Sequence, residues 1–356
     1  MKKAFFTLLF LCLVPSIFAQ EKPLTQAEFV KMLYAVQKTP AVKQEIVDAL
    51  RKRGIDFVLT DGLRGLARSK AGLDEDLTRA LDEAGRRHEN PKTAILPSQK
   101  EAVAVLELTR KNTLEAVSEM PDFVVKQQIQ RSAAYAGTGN FRNLDRLVVA
   151  VSYRSTGEED YRVLSTNGLL NNDPKSKQSY AETGGTSSTG EFVTMLATVF
   201  KPESETKFDL VDTDVIRTRK SIVFDFAVSR DKAQQQITSA GYVTSESAVT
   251  GMKGRIWVDR ENGRVLRIES EATEIPDTFP VRTAKRLIDY DWVKITDGTY
   301  LLPSISDVRL TIRDKSQTFE TRNVIRFKDY QKYGTDVVIR DDDVKPEPEP
   351  EIKKPI

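Results

Sequence analysis

Residues 255–269 read RIWVDRENGRVLRIE, and this stretch decides the fold class. Apolar and charged side chains alternate on both sides of Glu261-Asn262-Gly263, which is the pattern of two strands joined by a turn. A three-residue loop lets Gly263 take the left-handed conformation of a bulged hairpin. The stretch therefore predicts an antiparallel β-hairpin.

The pairing of side chains across this hairpin follows from the loop length. A three-residue loop sets Ile256 opposite Ile268 and Val258 opposite Leu266 on one face. A two-residue loop would instead set apolar side chains against charged ones, which is the less favourable cross-strand pairing. We therefore predict one apolar face, with Trp257 on the other face, toward solvent.

The same period-two pattern recurs over most of residues 100–336 and predicts about ten strands. A second hairpin is predicted at Asp297-Gly298, with Ile295 opposite Tyr300. A long helix before Pro121 and a short helix over residues 191–200 are also predicted. The predicted fold class is α+β: a small N-terminal helical cluster, then a curled antiparallel half-barrel sheet with a covering helix.

The N-terminal part of the mature chain has helical rather than strand periodicity. Thr25-Gln26-Ala27-Glu28 forms a capping box, and Gly54 is a helix stop signal. Two similar helix-turn-helix units are predicted, and they are too few for a stacked solenoid. The sequence predicts five segments: signal peptide 1–20, helical module 21–88, linker 89–99, β half-barrel 100–336 and disordered Pro/Glu-rich tail 337–356.

The first 20 residues, MKKAFFTLLFLCLVPSIFAQ, have the basic start, apolar run and small residue of a cleaved secretory signal peptide. The apolar run is shorter than the ~20 residues that an N-terminal membrane anchor needs. We therefore expect an exported protein, periplasmic or extracellular, with no transmembrane segment in the mature chain. Its single Cys, Cys12, lies within the signal peptide, so the mature chain is stabilised without disulfides.

Composition excludes several classes of function. The chain has 356 residues, 30% of them charged, and a net charge of +2. A nucleic-acid-binding protein normally carries a strong basic excess, so we expect no nucleic-acid partner. One His and one Cys leave little scope for metal, thiol or histidine chemistry. The nucleophile-elbow, zinc-protease and P-loop motifs do not occur, so we expect no enzyme activity, no catalytic residues, no metal site and no cofactor.

The order of predicted elements resembles the bacterial outer-membrane lipoprotein-carrier fold, a half-barrel with a helical lid. Four motifs also resemble those of a group of uncharacterised exported bacterial proteins, over about residues 101–330. The motifs are Met120-Pro121-Asp122-Phe123-Val124, Ser188-Thr189-Gly190-Glu191-Phe192, Ile256-Trp257-Val258-Asp259 and Val265-Leu266-Arg267-Ile268-Glu269. Because the concave face of the carrier fold binds acyl chains, the resemblance implies a hydrophobic ligand.

Two functions are therefore predicted. In the first, a non-enzymatic envelope protein binds an acyl chain, another lipid or an acylated ligand in its half-barrel. The predicted lining of that site is Phe192, Leu196, Phe200, Ile256, Val258, Leu266 and Ile268. In the second, side chains of the protein itself fill the β domain, and the protein is an interaction scaffold that docks an envelope protein through residues 24–87.

Overall fold

The computed structural model describes residues 22–39, 41–72, 74–91, 95–171, 186–187, 189–192, 194–233, 235–240 and 245–334. The predicted signal peptide and the predicted Pro/Glu-rich tail lie outside these residues. The chain divides into two compact units between Ile95 and Leu96.

The first unit is built from helices. Their bounds are α1 Gln26–Val36, α2 Val42–Arg53, α3 Asp61–Ala71 and α4 Glu75–Glu89. The Thr25 side chain accepts the Glu28 N–H while the Glu28 carboxylate accepts the Thr25 N–H, so the capping box is formed.

The core of this unit is apolar, and a short backbone pairing links two of its segments. The rings of Phe29 and Phe57 lie 5.8 Å apart between their centroids. Leu24 donates its N–H to the Gly54 carbonyl and accepts the Asp56 N–H, each at 3.1 Å, so the segment before α1 pairs with the segment after α2. This pairing joins the start of the unit to its middle.

The second unit is a large sheet with three helices among the described residues. The helices are α5 Gln99–Ser118, α6 Thr194–Phe200 and α7 Arg230–Ala233. The strands are β1 Phe123–Tyr135, β2 Arg142–Tyr153, β3 Glu159–Thr166, β4 Leu169–Leu170, β5 Lys207–Ile216, β6 Arg219–Val228, β7 Gln235–Ala240, β8 Ser245–Asp259, β9 Val265–Thr273, β10 Val281–Ile295, β11 Gly298–Asp314 and β12 Gln317–Lys332.

These twelve strands form one antiparallel sheet, which confirms the predicted α+β class. Their order is β4-β3-β2-β1-β12-β11-β10-β9-β8-β6-β5, and β7 pairs only with β8. Most neighbours are also consecutive in the chain, but β1 pairs with β12, so that Phe123 lies opposite Lys332. The sheet is not closed, since β4 and β5 end it on opposite sides. The half-barrel curvature and the covering helix stay predictions.

The two faces of the sheet differ in chemistry. One face carries two apolar clusters, one centred on β6, β8 and β9 and the other on β1, β2 and β12. The other face carries ion pairs between neighbouring strands, each with at least one buried partner, namely Asp225–Arg255, Arg267–Asp289 and Asp307–Arg322. Alternation along each strand sends successive side chains to opposite faces, so a single strand such as β8 serves both.

Candidate functional site

The structure brings five of the seven predicted lining residues together. Leu196 and Phe200 from α6 pack with Ile256, Val258 and Ile268 in one apolar cluster, which we call the β8 cluster. Ala102 and Val105 from α5 belong to the same cluster. The remaining two predicted lining residues lie in other clusters.

Leu266 lies on the opposite face from the one predicted for it. Trp257 pairs with Arg267 as predicted, but Val258 pairs with Val265 because a bulge interrupts the register. Leu266 is the extra residue of this bulge, and a one-residue shift reverses the face of a side chain. It therefore packs with Trp257, and the predicted pairing with Val258 is wrong.

Trp257 is buried, so its predicted solvent exposure is also wrong. Only 2% of its surface is exposed, and its indole N–H donates to Asp214 Oδ2 at 2.9 Å. The guanidinium of Arg267 lies 5.8 Å from the centre of the indole ring. Trp257 therefore packs within the ionic face of the sheet and is not exposed to solvent.

Phe192 lies in the second apolar cluster, where it contacts three aromatic rings. Its ring centre is 5.2 Å from that of Phe123, 5.8 Å from that of Tyr153 and 5.6 Å from that of Phe327. The contacts with Phe123 and Phe327 are edge-to-face, a favourable geometry for aromatic pairs. Phe192 therefore fills its side of the apolar face as a plug.

A buried polar group lies beside this plug and was not predicted. The Tyr161 hydroxyl and the Gly190 N–H both donate to Glu159 Oε2, the latter at 3.1 Å. Glu191, next to the plug, has no exposed surface. Period two along β3 places Glu159 on the same face as Tyr161 and Val163, and this was the signal that a carboxylate turns inward.

The pKa values of this polar group are shifted by its burial. Burial raises the pKa of the Glu159 carboxyl, although the donors from Tyr161 and Gly190 oppose the rise. Burial, together with the nearby carboxylates of Glu191 and Glu159, raises the pKa of the Tyr161 hydroxyl well above its usual range. Burial also raises the pKa of the Tyr330 hydroxyl, which donates to the Pro303 carbonyl at 2.7 Å. In all three groups the pKa shift is toward the protonated form.

Two surface grooves lie away from the predicted lining. The first, of about 570 Å³, is lined by Arg230, Glu246, Ser247, Ala248, Val249, Pro276, Thr278 and Phe279. The second, of about 380 Å³, is lined by Pro121, Asp122, Ile295, Thr296, Asp297, Gly298, Tyr300 and Lys332. The lining of the first groove combines the charged side chains of Arg230 and Glu246 with apolar ones.

Within the described residues, no group of three or more His, Cys, Asp or Glu side chains is placed to hold a metal ion. The helices of the same residues include none that is both long and apolar enough to cross a membrane.

Comparisons with known proteins give only distant likenesses. No family model matches the chain, and no curated protein matches it. A DUF1329 family protein from Desulfovibrio piger aligns at 10% identity with a TM-score of 0.26, covering 65% of this chain and 95% of that one. The MucA/MucB complex of Pseudomonas aeruginosa aligns at 12% identity with a TM-score of 0.17, covering 62% and 94%. A structure of MucB in complex with MucA(peri) aligns at 9% identity with a TM-score of 0.16, covering 63% and 94%. Scores this low establish neither a shared fold nor a function.

Proposed function

We propose that the protein is an exported, non-enzymatic protein of the cell envelope that works through its surface, because its own side chains fill the apolar face of its sheet. One observation carries this proposal. Residues of α5 and α6 pack in the β8 cluster with the predicted lining residues, and Phe200, Ile256, Val258 and Ile268 have no exposed surface. An occupied interior leaves the surface as the part available for binding.

Export and the absence of catalysis rest on the sequence. The basic and apolar start of the chain supports export, and a mature chain without Cys suits a compartment where disulfides would form. A chain with a single His, outside any recognised catalytic motif, supports a binding role over a catalytic one.

Native mass spectrometry of the mature protein, purified from its own envelope, tests the filled interior. The expected result is the mass of the bare chain both before and after denaturation. A reproducible extra mass that is released on denaturation would overturn the proposal and would identify the class of ligand.

A second candidate function is the binding of an acyl chain, and one observation favours it. Two buried aromatic residues of the apolar clusters, Phe192 and Phe200, both come from the connection between β4 and β5 rather than from the sheet. Movement of this single connection would open room for an apolar ligand in both clusters.

A fluorescent fatty acid, cis-parinaric acid, tests this second candidate with delipidated protein. Saturable binding that tightens in Phe192→Ala and Phe200→Ala, but not in the exposed control Tyr135→Ala, would favour it. Equal and non-saturable signals from all four proteins would reject it.

The helical unit, residues 24–87, is the docking element of the scaffold proposal. Its exposed apolar side chains include Tyr34, which lies 4.3 Å from the Lys70 ammonium, and Val58. Substituting these two residues with Ser should abolish cross-linking to an envelope partner while the helices stay folded. Cross-linking that persists unchanged would exclude this surface.

A further inference from the structure

Strand β8 extends beyond its neighbour β9. It runs over 15 residues, Ser245–Asp259, whereas β9 pairs only with its part from Gly251 onward. Residues 245–250 therefore extend past the end of β9, and at about 3.4 Å per residue this overhang is about 20 Å long.

One edge of the overhang is occupied by β7. Strand β6 pairs with β8 as far as Met252, and the chain continues through α7 into β7, which pairs with β8 from Thr250 to Ser245. Strand β7 thus continues the line of β6 along one edge of β8. On the other edge, where β9 ends at Thr273, no described strand pairs with the overhang.

The first groove lies beside the overhang. It is lined by residues 246–249 of β8, by Pro276, Thr278 and Phe279 from the segment between β9 and β10, and by Arg230 at the start of α7. Ala248 and Phe279 are buried in a small apolar cluster, so the floor of the groove is apolar. Val249, in contrast, is 48% exposed at the rim.

We propose that this groove binds an extended segment of a partner polypeptide, which adds to β8 as a strand in line with β9. The inference rests on the proposed function and names the class of partner. A strand edge presents alternating N–H and C=O groups, and the backbone of another extended chain matches them in spacing and polarity. The pairings described in this sheet are all antiparallel, so the added segment runs antiparallel to β8.

Among the described residues, the overhang itself carries little of the usual protection against such pairing. Exposed edges are commonly blocked by Lys or Pro, by bulges or by a covering element. Here the overhang carries an exposed Val249 beside an apolar floor, and Glu246 is the one charged side chain among residues 246–250. Alternate side chains of an added strand would enter the apolar floor, which gives the groove a preference for alternating apolar sequences.

The probe for this proposal is an acetylated, fluorescein-labelled peptide amide of sequence KVTVTVK, titrated into the full mature protein and followed by anisotropy. Two further versions carry N-methyl groups on alternate amides, one on the odd positions and one on the even positions. Strand addition uses the donors along one edge of the peptide, so we expect one methylated version to lose at least tenfold in affinity and the other to keep its affinity. Equal binding by both versions would overturn strand addition.

Two variants locate the binding. Val249→Lys places a charge at the open edge and should raise the Kd at least tenfold. The matched control Val215→Lys places the same charge at an exposed position of the outer strand β5 and should change the Kd less than twofold. Equal losses in both variants, or no saturable binding by the wild-type protein, would overturn the proposal. If native mass spectrometry shows the bare chain and no peptide binds, the groove proposal is wrong and the proposed function is not affected. If a lipid is released on denaturation, the proposed function is wrong, and the peptide titration then tests the groove independently.

Discussion

Strand β8 buries side chains on both the apolar and the ionic face of the sheet, but different interactions bury them. On β8, Ile256 and Val258 enter the apolar cluster, while Arg255 and Trp257 enter the ionic face between them. Each of these four side chains is at most 2% exposed. Equal burial therefore does not distinguish the two faces of β8. The type of contact, apolar or ionic, distinguishes them.

The best-defined contact of the ionic face is the pair Arg267–Asp289. Arg267 Nε lies 2.6 Å from Asp289 Oδ1, and Arg267 Nη2 lies 2.7 Å from Asp289 Oδ2. Burial alone lowers the pKa of Arg267, but its hydrogen bonds and the charge of Asp289 outweigh that effect, so the pKa is raised. The pair is thus matched in geometry and charge, which is the condition under which a buried ion pair is tolerated.

The largest effect is expected on the apolar face. Phe200→Ala should lower the free energy of unfolding of the β unit by about 4 kcal/mol, because it removes a fully buried aromatic ring and leaves a cavity. Urea unfolding followed by tryptophan fluorescence measures the change. The exposed control Tyr135→Ala should stay within about 0.5 kcal/mol of wild type. A loss below about 1 kcal/mol in Phe200→Ala would mean that the apolar face is not closely packed.

The next effect is expected on the ionic face. Asp289→Ala should cost about 3 kcal/mol, because it leaves the Arg267 guanidinium buried without its carboxylate. The double variant Arg267→Met with Asp289→Leu should lie within about 1 kcal/mol of wild type in the same urea titration, since it removes both charges together. A double variant as unstable as the single one would show that the ionic face cannot be replaced by apolar packing.

A smaller, pH-dependent effect is expected at Glu159, a carboxyl that faces the apolar side. Its pKa is raised above 4.5 in the folded state, so the folded protein holds this proton more tightly than the unfolded chain does. Its contribution to stability is complete below pH 4.5 and is lost as the pH rises through the raised pKa. Glu159→Gln should therefore gain stability relative to wild type between pH 4 and pH 8, as measured by unfolding midpoints. Parallel curves would contradict the shift.

The smallest effect is expected at an ion pair on the surface of α5. Lys111 and Glu115 lie 3.8 Å apart and are more than half exposed. Glu115→Gln should change the unfolding free energy by less than about 0.5 kcal/mol, because water screens such pairs. A change above 1 kcal/mol would mean that exposed ion pairs of this protein contribute as much as buried ones.

The sequence predicted most of the β8–β9 hairpin. Ile256 pairs with Ile268 and Trp257 with Arg267 as expected, and Gly263 has the predicted positive φ, +61°. The bulge at Leu266 was missed because the hydrogen bonds that fix it are local to the turn. Asp259 Oδ1 accepts the Glu261 N–H at 2.9 Å, and the Asp259 N–H donates to the Arg264 carbonyl, so the loop spans the four residues 260–263 instead of the predicted three.

The second hairpin shows a different limit. Its predicted pairing of Ile295 with Tyr300 is wrong, since Ile295 pairs with Gly298 and Val293 pairs with Tyr300. The two turn residues are Thr296 and Asp297 rather than Asp297 and Gly298, and Thr296 has a positive φ of +55°. Gly298 has another role: a Cβ there would lie 2.4 Å from the Tyr300 hydroxyl, so the missing side chain makes room for that ring.

The candidate site was predicted only in part, because local sequence patterns do not specify contacts between distant segments. Periodicity identified the apolar side chains of the β8 cluster, because alternation is a property of each strand alone. It did not identify the separation of Phe192 from Phe200, nor the buried carboxylate of Glu191 beside the plug. These depend on where one connecting segment crosses the sheet, which local sequence patterns do not specify.

The pairing of β1 with β12 bears on how the chain folds. A chain that emerges from its N-terminal end presents β1 long before β12, whose residue Lys332 lies opposite Phe123. Until then β1 can pair only with β2, and its second edge stays available to other chains. Sheets completed by such distant contacts fold slowly and are prone to aggregation until the contacts form. A protein exported in this order would depend on a holding chaperone more than one whose strands all pair with their neighbours in sequence.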